Sequence, residues 1–92
     1  MLIFLSGKMT GLSDYGRAAF RAAESELTDA GNDVLNPAIL PACVQRERCL
    51  PITLAMLDAA EAVYMLRGWE DSPGARIEHE YAKYQGKTIL YE

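Results

Sequence analysis

The sequence predicts a small α/β domain with a parallel sheet, on three observations. Four short apolar runs read as strands, three longer stretches with helical spacing alternate with them, and Gly or Pro marks the joints. Leu2-Ile3-Phe4-Leu5 is apolar at every position, the pattern of a strand covered on both faces. Ser6-Gly7-Lys8-Met9-Thr10-Gly11 follows as a loop with two glycines. The spacing then predicts a helix over 15–30, with Phe20, Ala23, Leu27 and Ala30 on one stripe. Ser13 or Asp14 can cap its start, and Gly31 ends it.

Asp33-Val34-Leu35-Asn36 reads as the second strand, stopped by Pro37. Residues 37–50 show no clean period and read mostly as loop, with Arg46-Glu47-Arg48 as a solvated turn. Pro51 suits the first position of a second helix, which runs to about Ala60 with Leu54 and Leu57 inward. Ala62-Val63-Tyr64-Met65-Leu66 is the third strand, and residues 67–74 are the loop beyond it. A third helix covers about 75–85, Gly86 stops it, and Thr88-Ile89-Leu90-Tyr91 is the last strand. Strict alternation of this kind gives right-handed crossovers and helices on both faces of the sheet. The expected architecture is a three-layer sandwich around a four-stranded, Rossmann- or flavodoxin-like sheet, all within one domain of 92 residues.

Composition narrows the function. Half of the residues are hydrophobic, so a core is possible. A domain this small buries only about 60–65% of its unfolded surface, which makes pairing with a second copy a natural source of stability. A formal charge of −4 with scattered basic residues argues against a sequence-independent grip on a nucleic-acid polymer. No apolar run approaches the roughly 20 residues of a membrane helix, and Met1–Leu5 lacks the pattern of a signal peptide. A cytoplasmic location is therefore expected. Cys43 and Cys49 lie six apart with no metal-ligand partners nearby, and read as thiols rather than a disulfide or a metal site. No cofactor is expected.

In an open parallel sheet, ligands bind beyond the carboxyl ends of the strands, where strand order reverses. The first strand's loop brings Ser6, Gly7 and Lys8 to that end, the second brings Asn36, and the third brings Trp69, Asp71, Ser72 and Gly74. The Ser6–Gly11 loop lacks the spacing of the common phosphate-binding loops, yet Lys8 gives it a charge suited to an anion. Trp69, the one tryptophan, is a candidate for stacking on a planar base. Gly74 lets a ligand approach the start of the third helix, and Ser72 beside it offers a hydroxyl. Glu78 lies one turn further in, placed to attack a sugar carbon as retaining glycosidases do. A surface acid beside Arg76 and Glu80 is the plainer alternative for Glu78. His79 points about 100° away around the helix and reads as packing or surface.

With these residues in place, the chain resembles the nucleoside 2-deoxyribosyltransferase superfamily. The resemblance rests on Ile3-Phe4-Leu5-Ser6-Gly7, on Gly68-Trp69-Glu70-Asp71-Ser72-Pro73-Gly74-Ala75, on Glu78 followed by Tyr81-Ala82, and on Gly86-Lys87. It runs over nearly the whole chain and is closest to a small, often phage-encoded branch. It implies cleavage of the N-glycosidic bond of a deoxynucleoside or its 5′-monophosphate, with Glu78 as the nucleophile and Ser72 as a phosphate contact. It also implies a homodimer or higher homo-oligomer, because family members complete their sites across a subunit interface. Two departures stand out. A tyrosine often found in the first strand is Phe4 here, which removes a hydroxyl that could orient the nucleophile. The accessory aspartate has three candidates, Asp58, Glu61 and Asp71, of which Asp71 is preferred. Two other classes of function stay open: a non-catalytic module that binds a nucleotide or nucleotide-derived ligand, and an interaction domain that has kept only the fold.

Overall fold

The computed structural model describes residues 1–41 and 46–92, so the expectation for Cys43 lies outside the described residues. Four strands, β1 (Leu2–Ser6), β2 (Asp33–Leu35), β3 (Ala62–Met65) and β4 (Thr88–Tyr91), form one sheet in the order β2-β1-β3-β4. All three pairings are parallel, with Phe4 opposite Leu35 on one side and Val63 on the other. Three helices connect the strands: α1 (Arg17–Asp29), α2 (Arg46–Ala59) and α3 (Pro73–Tyr84). The result is an α/β three-layer sandwich of the Rossmann-like kind, with its order reversal between β1 and β3.

Alternation along β1 divides the core in two. Phe4 points to the side of α2 and α3, where Leu57, Val63, Met65, Ala75 and Ala82 pack with it. Leu5 points to the side of α1, against Phe20, Ala23 and Leu66. Ser6 is the third residue of the first series, so the same alternation aims its hydroxyl at α3.

Helix boundaries depart from the sequence reading in physically informative ways. α1 starts at Arg17 rather than Tyr15, since Tyr15 and Gly16 both have left-handed backbone, at φ 56° and 74°. Asp14 still acts as the cap, its carboxylate accepting from Gly16 N at 2.9 Å and Ala18 N at 3.0 Å. These bonds, to Ala18 above all, hold the Asp14 carboxyl below its usual range. Ala30 is exposed because α1 has already ended at Asp29.

The described parts of the stretch 37–50 hold more regular structure than expected. They include a 3-10 turn at Pro37–Ile39 and the beginning of α2, so Arg46-Glu47-Arg48 is helical rather than a turn. α2 passes through Pro51 instead of starting there. The proline ring fixes a φ that a helix accepts and costs one hydrogen bond, which falls near the helix start. α3 begins at Pro73, two residues earlier than read. Ser72 caps it through Oγ, which accepts from Ala75 N at 3.2 Å, and a proline at the first position has no N–H to waste. Gly74 therefore belongs to the first helical turn. No helix among the described residues is long and apolar enough to cross a membrane.

Candidate functional site

The site grows out of the place where β1 ends. Beyond Ser6 the chain runs so close to β3 that a Cβ on Gly7 would sit 2.9 Å from Leu66 Cβ, so only glycine fits without a shift. Gly7 lines a cavity of about 310 Å³ at the carboxyl end of the sheet, between the β1–α1 segment and the starts of α2 and α3. That volume is at the small end of ligand pockets.

Glu78 forms part of the wall. It is buried, and its Oε1 accepts a hydrogen bond from Ser6 Oγ at 2.6 Å. The bond joins the end of β1 to the second turn of α3, so sheet and helix together fix the carboxylate. Ser72 and Gly74 line the same cavity from the start of α3, and Gly7 lines it from β1. An anion there would meet the positive end of the helix. Thr53, a buried polar residue on α2 whose hydroxyl donates to Leu50 O at 3.1 Å, adds a further wall. Arg17 brings a guanidinium from the first turn of α1. Among the described residues the lining pairs the held Glu78 with the Arg17 guanidinium in a mostly apolar cleft, a combination suited to a polar ligand with a flat or apolar body.

Of the residues proposed from sequence, the fold gathers Gly7, Ser72, Gly74 and Glu78 around this cavity, with Ser6 behind Glu78. Ser6 is fully buried, so it acts on Glu78 rather than facing the space directly. The other four lie elsewhere. Asn36 turns away to hold the 3-10 turn, accepting from Ala38 N at 2.8 Å and donating to Glu24 Oε1 at 2.8 Å. Trp69 stacks on His79, with ring centroids 4.4 Å apart and planes 25° from parallel, and lines no part of the cavity. Asp71 is exposed in a 3-10 turn at Trp69–Asp71 and is outside the lining, as is Lys8. His79 packs as expected, with its Nε2 2.7 Å from the Tyr91 hydroxyl.

Sequence reading missed Tyr15, Arg17 and Thr53. Thr53 was legible in principle, since it lies between inward-facing positions of α2. Tyr15 and Arg17 were not, because their placement depends on the two left-handed residues that delay α1. No group of His, Cys, Asp and Glu among the described residues is arranged to hold a metal ion.

Fold and site together define a small parallel α/β protein with a buried glutamate beside a cavity at the carboxyl end of its sheet. The chain belongs to the family described as Domain of unknown function (DUF4406), whose model matches residues 1–91. No curated protein matches the chain.

Proposed function

We propose that this protein binds a deoxynucleoside or its 5′-monophosphate and breaks the N-glycosidic bond with Glu78 as nucleophile. The observation that carries this reading is the Glu78 carboxylate itself, buried at the wall of a ligand-sized cavity and held at 2.6 Å by Ser6 Oγ. In the proposed step a Glu78 oxygen bonds to the anomeric carbon, and the C–N bond breaks with its electron pair leaving on the base. Water or a second base then attacks the same carbon and frees Glu78. Ser6 supplies a hydroxyl that Phe4 lacks. The two residues share one face of β1, Phe4 fills the core, and Ser6 reaches the carboxylate one strand step further on. Ser72 and the start of α3 favour an anionic group at the other end of such a ligand.

The chemistry is tested by incubating the protein with each deoxynucleoside and its 5′-monophosphate and measuring free base by chromatography. Base release that disappears in Glu78→Gln is the expected result. Undiminished release in that variant ends the proposal.

A second reading, a module that binds a nucleotide without turning it over, is favoured by one observation. Asp71, the preferred accessory acid, is exposed and outside the cavity. A ligand at 100 times its dissociation constant would then stabilise the protein by about 2.7 kcal/mol without product. Under either reading we propose a cytoplasmic homodimer. Ile77, exposed at the cavity, gives a second copy apolar surface to cover, and sedimentation would distinguish one chain from two.

A further inference from the structure

We infer that Tyr15 is the residue on which the heterocycle of the ligand stacks, an assignment that rests on the nucleotide reading of the site. The tryptophan of this chain is already committed elsewhere, against His79 and next to Tyr91. Among the described aromatic residues, Tyr15 and Phe20 line the cavity. Phe20 is 1% exposed and packs into the core on the α1 side. Tyr15 is 40% exposed, so its ring is accessible at the cavity.

The backbone around Tyr15 is built to keep that ring in place. Its φ of 56° makes it the one non-glycine among the described residues in the left-handed region, where a bulky side chain is strained. Tyr15 N donates to Leu12 O at 3.1 Å on one side. On the other, Gly16 is pinned by the Asp14 carboxylate, and its own backbone lies so close that a Cβ would meet Lys8 O at 2.8 Å. Glycine would occupy position 15 without strain, so the tyrosine ring is what the strained backbone holds in position. The Arg17 guanidinium sits over that ring, 5.6 Å from its centroid, and is itself tied to Leu40 O at 3.4 Å. Arg17 braces one face of a ring that keeps exposed surface at the cavity, where a flat heterocycle can meet it. Stacking of this kind tolerates any base, so Tyr15 supplies affinity for the heterocycle without selecting among bases.

Calorimetry with the four deoxynucleoside 5′-monophosphates, and with 2-deoxyribose 5-phosphate as a probe lacking the base, tests the assignment. The wild type is used where it leaves a nucleotide intact, and Glu78→Gln where it does not. Tyr15→Gly removes the ring at a position whose backbone glycine adopts freely, so a loss of binding is not a loss of folding. The expected result is that Tyr15→Gly weakens every bound monophosphate by about 5- to 100-fold. The sugar phosphate should change less than about twofold, and Tyr15→Phe should behave like its parent. Equal nucleotide affinity in Tyr15→Gly and its parent overturns the role of Tyr15 and leaves the nucleotide reading standing. A parent protein that binds none of the four monophosphates overturns both.

Discussion

Glu78 and His79 are neighbours in sequence, yet they belong to two different parts of the molecule. Glu78 is turned into the cavity and bound by Ser6, whereas His79 is turned outward into a stack with Trp69 and Tyr91. About 100° of helical rotation separates them. On one side of α3 a polar group is buried and held by a partner from another element, an arrangement that costs stability unless hydrogen bonds offset it. On the other, three ring side chains cover each other at the edge of the sheet, an arrangement that serves packing. Burial with a partner from another element, and not chemical type alone, sets the cavity side of α3 apart. A histidine and a tryptophan are the more familiar site residues, but here they are on the structural side.

The contrast is broken most directly at Glu78. Its replacement by Gln keeps the size and shape of the side chain while removing the proposed nucleophile, and turnover should fall on the order of a thousandfold or more. Thermal unfolding should stay close to that of the wild type. If Glu78→Gln turned over normally while a Trp69 variant did not, the two sides of the helix would have to exchange roles.

Ser6 sharpens the same comparison. Ser6→Ala takes away the hydroxyl that fixes the carboxylate. A buried hydrogen bond to a charged group contributes about 1.5–3 kcal/mol, and denaturant unfolding should show a loss of that order. Turnover should fall about 10- to 100-fold through misplacement of the carboxylate, with substrate affinity less affected. An activity unchanged in Ser6→Ala would mean that Glu78 is oriented by other contacts.

Trp69 tests the structural side. Trp69 is partly buried against the core shared by Phe4 and Leu57, besides its stack on His79. Trp69→Ala should destabilise the fold by about 2 kcal/mol, read from the urea midpoint. Nucleotide affinity, measured under conditions where the variant is folded, should be unchanged. A selective loss of affinity would return Trp69 to the binding role that sequence alone suggested.

These cases show where the sequence was legible. Apolar runs and Gly or Pro punctuation located all four strands, and β4 was read residue for residue, because each signal is local. Gly7, Ser72, Gly74 and Glu78 were found because a parallel sheet sends its loops to one end. The Ser6–Glu78 bond was not legible, since it joins residues 72 apart in sequence. Trp69 was misdirected for the same reason. Nothing local to Gly68-Trp69-Glu70 announces that His79 and Tyr91 will take up its ring. The early start of α2 was hidden by Pro51, which reads as a boundary although a helix tolerates it near its beginning.

The smallest effect lies across the sheet, on the face opposite Glu78. Tyr64 pairs with Leu5 and packs with the α1-side core, one residue out of phase with the face that carries Ser6. Burial favours its neutral phenol and, with Glu92 and Glu26 adding to the effect against Arg67, raises its pKa above 10.0. The unfolded chain then loses this proton at lower pH than the folded one. The stability that comes from the neutral phenol is complete below pH 10.0 and is lost as pH rises through the folded value. The urea midpoint of the wild type should therefore fall more steeply above pH 10.0 than that of Tyr64→Phe, while the two coincide in slope at neutral pH. Every contribution common to both proteins cancels in the comparison, so only the difference between them reports the phenol. Parallel curves would mean that this face accepts a charge at no cost. The contrast between the two faces of the sheet would then rest on the Ser6–Glu78 hydrogen bond alone.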